Sequence, residues 1–265
     1  MGFGKAKRSP VEKELQKIEW EEQKLLRCAQ QRQTPRWKSE LEHRIPEKVM
    51  NGLQKAFSTA FSLIFEKGAA VIEKTYDRDA LEKEFQINDY AVDLKGGRKE
   101  LGRIRSGAFG SNALNTVVTT VEGVGLGVLG VGLPDIAIWV GMLLRGVYET
   151  ALRYGFDYES PGEKLLILKM IETAMTSGAD WAVLNQEVDA YFGQTVYEIP
   201  DHDRLRAQIE KTAHTFAAEL LAAKFVQGLP VIGILGGAAN PVYYQKIMRY
   251  VQLKYRKRYL LRKKR

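Results

Sequence analysis

Apolar and polar positions recur with a helical period along most of the chain. From Val49 to Phe65 an apolar residue returns every fourth position (Val49, Leu53, Phe57, Phe61, Phe65), with Met50, Ala56, Ala60 and Ile64 beside them. A face that wide belongs to a helix packed on a core, starting near Pro46. The phenylalanines read as core packing, with the lining of a lipid pocket as the other use of such a stripe. Upstream, Ser9-Pro10-Val11-Glu12 has the order of a capping box with proline at the first helical position. The helix it opens is expected to reach about Arg32. Its stripe of Val11, Leu15, Ile18, Leu25 and Leu26 is thin, as for a helix lying on a surface.

Further elements follow from the same signals. Residues 76–100 read as a polar connector with a short helix, and 99–120 as a mixed Gly/Ala/Ser/Thr helix or helix pair. A helix is expected from Pro134 to about Tyr154. Ser160-Pro161-Gly162-Glu163 is a second capping box ahead of the apolar "EKLLILKMIETAM". "ADWAVLNQEVDAYF" predicts a shorter helix. Asp201 or Asp203 caps a long one, in which Leu205, Ile209, Phe216, Leu220 and Phe225 lean to one face. The last helix is expected at Asn240-Pro241, with Asn240 as cap. No run of alternating strands is visible, so the fold class is all-α.

One stretch occurs twice. "GLPDIAIWVGMLLRGVYETALRY" (132–154) aligns without gaps on "GLPVIGILGGAANPVYYQKIMRY" (228–250), with nine of 23 positions identical. Among the matches are Gly132 with Gly228, Leu133 with Leu229, Pro134 with Pro230, Tyr148 with Tyr244, and Arg153-Tyr154 with Arg249-Tyr250. Gly-Leu-Pro ends one helix and starts the next, because glycine reaches positive φ and proline fits a first turn. Two pseudo-repeated helical hairpins are therefore expected, with Asp135 opening the first helix and Asn240 breaking the second copy. Both are too rich in glycine and proline for simple membrane spans. Buried core and shallow membrane insertion both remain open for them.

Composition sharpens this picture in one place. The 265 residues are 45% hydrophobic and 27% charged, the balance of a soluble globular protein. The net charge of +8 comes from 40 Lys+Arg against 32 Asp+Glu. The last twelve residues, "KYRKRYLLRKKR", hold eight of those cations, so the body is neutral. The chain then divides into a charged helix and linker (1–45), an all-α domain (46–253) and a basic tail (254–265). Lys254, Arg256, Lys257, Arg258, Arg262, Lys263, Lys264 and Arg265 are the candidate contacts with an anionic membrane surface. A solvated, frayed terminus is the plainer reading of the same residues. Nucleic acid is the less favoured partner, since no reader motif accompanies the charge.

Candidate chemistry is sparse. Gly125, Gly127 and Gly130 spell a dinucleotide fingerprint, but the strand–turn–helix setting it needs is missing. "DHD" at 201–203 reads as capping rather than as metal ligands, and His214 as a structural residue near core positions. Asp135 is the most unusual acid, favoured in a first turn by the helix dipole. Cys28 has no activating neighbour in sequence and no cysteine to pair with, which suits a reducing compartment. No secretory leader is recognisable. No catalytic residue, metal or cofactor is assigned.

Two segments resemble the EcsC protein family. The first is "GLPDIAIWVGMLLRGVYETALRYGFDYESPGEKLLIL", with its Leu-Pro-Asp and its Tyr154-Gly155-Phe156-Asp157. The second is "KFVQGLPVIGILGGAANPVYYQKIMRYVQLKYRKRYL", with Pro230, Gly233 and Asn240. The likeness extends over about residues 10 to 260; the heavily basic tail and the extreme N-terminus depart from it. It implies a bacterial protein encoded beside an Ecs-type ABC transporter, whose subunits become candidate partners. The family carries no agreed reaction, so no active site follows. The expected function is that of a non-enzymatic accessory protein, cytoplasmic and peripheral at the inner face of the membrane. An enzyme or binding protein for a lipid or other hydrophobic ligand is the alternative.

Overall fold

The computed structural model describes residues 8–31, 46–68, 72–107, 134–193, 202–226 and 239–264. Among these the chain is all-α, with nine α-helices and no strand. They are α1 (Pro10–Gln31), α2 (Glu47–Leu63), α3 (Arg78–Lys95), α4 (Arg98–Gly107), α5 (Pro134–Arg153), α6 (Pro161–Met175), α7 (Asp180–Ala190), α8 (His202–Val226) and α9 (Ala239–Lys264). A π-helical turn, Ile64–Gly68, prolongs α2.

The helix starts follow local chemistry. At α1 the box is reciprocal: Glu12 N–H donates to Ser9 Oγ at 3.1 Å, and Ser9 N–H donates to Glu12 Oε2 at 2.8 Å. At α6 only half of the box forms. Glu163 N–H donates to Ser160 Oγ at 3.3 Å, but the Glu163 carboxylate turns away to accept from Tyr255 and Arg258 of α9. The polar region after residue 76 holds an 18-residue helix rather than the short one expected. Asp77 caps it through Ala80 N–H, and Gly96, at φ 55°, ends it.

Five helices close a ring of contacts: α2 packs on α8, α8 on α6, α6 on α9, α9 on α5, and α5 back on α2. The apolar run of α6 explains its place in the ring, since a helix hydrophobic on every side must be covered on every side. Leu165 to Leu168, Met170, Ile171, Ala174 and Met175 are all buried. Around the ring, α1 lies against α9, α7 against α6, α3 against α5, and α4 against α3. The phenylalanine stripe of α2 is core. Phe57 stacks on Phe216 of α8 at 5.0 Å, and Trp139 of α5 meets both rings edge-on.

Gly155 ties the end of α5 to α3. Its φ is +72°, and a Cβ there would lie 2.2 Å from Phe85 Cζ. The Tyr-Gly-x-Asp stretch thus owes its glycine to a left-handed turn made under an aromatic ring.

Of the pseudo-repeat, Gly132, Leu133, Gly228, Leu229 and Pro230 lie outside the described residues, as does the glycine-rich run before Leu133. Pro134 and Asp135 open α5 and Asn240 lies in the first turn of α9, their side chains outside the description. Helix α9 starts at Ala239, one residue before the expected cap.

Candidate functional site

The most unusual chemistry of the fold lies on α5. Arg145 and Glu149, one turn apart, are 7% and 5% exposed on a helix whose other residues around them are buried too. Arg145 Nε donates to Glu149 Oε1 at 2.7 Å. Burying an ion pair costs desolvation of both charges, and is sustained when the remaining donors find partners. Here Nη1 of Arg145 is buried and has none among the described residues.

Tyr244 of α9 reaches this point from the second repeat copy. A Cβ on Gly146 would stand 2.5 Å from its hydroxyl and 3.2 Å from Met248 Sδ, so Gly146 admits the α9 side chains against α5. The Tyr244 phenol is held above its ordinary pKa by burial first and by the Glu149 charge second, with Arg145 pulling the other way. Helices α5 and α9 are therefore in contact beside the ion pair.

A second polar group adjoins α5 from the other side. Tyr158 donates to Glu73, and Tyr76 donates to the Tyr158 hydroxyl at 2.8 Å. Arg78 holds Glu73 at 3.0 Å and Glu159 at 2.9 Å. Tyr148, the repeat counterpart of Tyr244, stacks on Tyr158 with ring centroids 4.1 Å apart. Burial pushes the Tyr76 phenol up to about 12, helped by the charges of Glu73 and Glu149 and opposed by its bond to Tyr158. Tyr148 and Tyr158 are raised further, again chiefly by burial. Near neutral pH these phenols keep their protons, and Tyr76 and Tyr158 act as hydrogen-bond donors, not as bases.

The basic C-terminal residues are in a different situation from the one their sequence suggests. The boundary expected between 253 and 254 falls inside α9, so 254–264 is neither a separate tail nor frayed. Lys254 is fully buried, and its Nζ binds Glu22 of α1 and Asp189 of α7. Lys257 binds the same two carboxylates at 2.7 and 2.8 Å. Arg256 pairs with Glu14 and, at 3.6 Å, with Glu21. Arg258 holds both oxygens of Glu163 and covers the Phe156 ring at 4.0 Å. Arg262 lies over Phe85, Phe156 and Tyr259. Lys263 binds Asp89 and Asp93 of α3. Lys264 is exposed, and Arg265 lies outside the described residues. Five of these cations, Lys254, Arg256, Lys257, Arg258 and Lys263, are matched by acids from α1, α3, α6 and α7.

Other expected residues fall elsewhere. His214 is exposed on α8, bonded to Gln54 at 3.1 Å, and not near the core. Among the described residues no group of three His, Cys, Asp or Glu is arranged to hold a metal ion. No described helix is long and apolar enough to cross a membrane. Sequence reading missed the Arg145–Glu149 pair, although its signal was legible: opposite charges four residues apart in an apolar helix.

Fold and site together define an all-α protein built on a helical ring, with a buried ion pair on α5 where α9 packs against it. The chain matches the EcsC protein family over residues 9–260 and belongs to that family. No curated protein and no solved structure matches it.

Proposed function

We propose that the protein is a non-enzymatic accessory factor held reversibly on the inner, anionic face of a membrane, beside an ABC transporter. The contact surface is α3–α4 and not the basic end of α9. The observation that carries this reading is an uncovered stripe on α3. Ile87, Tyr90 and Leu94, at spacings of three and four, are 69%, 66% and 65% exposed.

Charge supports the choice of partner. Four α3 carboxylates are already paired with cations of the fold: Glu82 with Arg78, Glu84 with Arg153, and Asp89 and Asp93 with Lys263. Lys83 and Lys95 of α3, and Arg98, Lys99 and Arg103 of α4, are exposed. An amphipathic helix with Tyr and Leu on one side and cations around them suits the headgroup boundary. Each cation near an anionic surface contributes about 1 kcal/mol. The transporter part of the proposal rests on the family alone.

Sedimentation with vesicles of phosphatidylglycerol and phosphatidylcholine tests the membrane contact. Binding is expected at low salt, lost on pure phosphatidylcholine and lost in the I87S/Y90S/L94S variant with its helicity intact. Failure of the full chain to bind at low salt refutes it. So does a dimer in solution that the same triple variant dissolves, since the stripe would then face a second copy.

A further inference from the structure

We propose that a groove between α1 and α9, closed by the end of α6 and the start of α7, binds one fatty acid, with its alkyl chain along the groove and its carboxylate on Arg249. The groove measures about 380 Å³. Ligand sites run from roughly 300 to 1,000 Å³, so this one suits a single slender chain rather than a two-chain lipid.

The walls are mostly apolar. Leu25 and Ala29 come from α1, Ala174 from α6, Trp181 from α7, and Val242 and Tyr250 from α9. The two alanines are buried, and their small side chains leave space that larger ones would close. Trp181 meets Tyr250 edge-on, with ring centroids 6.0 Å apart. The Tyr250 hydroxyl already donates to Asn185 at 2.8 Å, so what tyrosine offers the groove is its ring. Val242 stays 63% exposed, an apolar residue that a bound chain would cover.

Charge selects the end of the ligand. None of the described residues lining the groove is acidic, and the two charged ones are Lys246 and Arg249. Lys246 donates to the Met175 carbonyl at 3.0 Å, at the C-terminal end of α6, where helix carbonyls attract a cation. Arg249 is exposed and has no ion-pair or hydrogen-bond partner among the described residues. It also edges a second groove, but the walls there carry Glu21, so an anion is better placed in the first. One guanidinium with its fork open matches one planar carboxylate through two parallel hydrogen bonds. A phosphate monoester brings more charge than a single arginine matches.

The test uses the full chain and laurate below its micelle concentration. Affinity is read by calorimetry, and occupancy by the rate of maleimide labelling at Cys28, an exposed residue of the α1 wall and the only cysteine. Laurate is expected to bind and to slow the labelling. R249Q should weaken laurate binding by about 10-fold, the size of a lost charge-assisted contact. Dodecanol should bind more weakly than laurate, and so should dodecyl phosphate. The I87S/Y90S/L94S variant should bind laurate as the wild type does, because the groove is separate from the α3 surface. No laurate binding overturns the proposal, as does labelling that saturating laurate leaves unchanged. Dodecanol or dodecyl phosphate bound as tightly as laurate overturns it, and so does an unchanged affinity in R249Q. Loss of laurate binding in the α3 variant overturns it too, since the chain would then lie on α3. If R249Q fails to fold, wild type blocked at Cys28 with N-ethylmaleimide decides: laurate affinity equal to that of the unblocked protein overturns the site.

Discussion

Replacing Lys254 with methionine tests the central energetic statement about the C-terminal helix. The side chain is fully buried, and its ammonium touches Glu22 at one side and Asp189 at the other, 2.7 Å away. Lys257 binds the same two acids, so two cations and two anions form a neutral box joining α1, α7 and α9. Burial lowers the Lys254 pKa, and the two carboxylates oppose that. Methionine keeps the length and packing of the stem but leaves two carboxylates facing one lysine. Breaking a buried pair this way costs about 3–5 kcal/mol. Glu22 and Asp189 keep an edge in water, which sets the expectation at the lower end, about 3 kcal/mol. For a chain of this size that is a fall in Tm of about 6–12 °C. Urea unfolding should show a lower midpoint at unchanged slope. K254M/E22Q, which restores a one-to-one balance through Lys257 and Asp189, should recover at least half of the loss. A K254M protein within about 0.5 kcal/mol of wild type would refute the reasoning, because a solvated basic tail behaves that way.

Two further outcomes follow from the same contacts. Gly155→Ala forces a side chain into φ +72° and into the Phe85 ring, so stability should fall by about 3 kcal/mol; G155A/F85A should restore only the steric part, as chemical denaturation would read. Acid should loosen α1. Burial raises the Glu14 carboxyl, but hydrogen bonds from Lys17 and Arg256 outweigh it and hold the pKa below the ordinary 4.5. A carboxyl lowered in the folded state adds stability above pH 4.5 and loses it as pH falls through its folded pKa. Hydrogen exchange along α1 should therefore accelerate below that pH, and E14Q should flatten the dependence; an acid limb of the same steepness in E14Q would contradict it.

How far the sequence reached differs from helix to helix. The starts of α1, α5 and α6 were legible because proline and a capping hydroxyl act on the adjacent turn alone. The phenylalanine period of α2 was legible because burial on one side writes itself into spacing. The length of α3 was not. Its apolar residues Ile87, Tyr90 and Leu94 stay exposed while its acids Asp89 and Asp93 bond to Lys263 of α9, so its pattern mimics a polar connector. The Arg145–Glu149 pair was visible as a spacing, but not as a buried one.

The sequence by itself determined an all-α chain, most of its helix starts and a strongly basic C-terminus, since each depends on residues within a turn or two of one another. Only the tertiary structure decided what that basic segment is. Lys254 and its partner Glu22 stand 232 residues apart, Arg256 and Glu14 242, and no local pattern records which acid meets which base. Folding brings the carboxylates of α1, α3, α6 and α7 onto α9, and a segment that reads as a free tail becomes part of the core. The same assembly uncovers the stripe of α3 and buries one nitrogen of Arg145 without a partner among the described residues, because exposure and burial are properties of the packed whole.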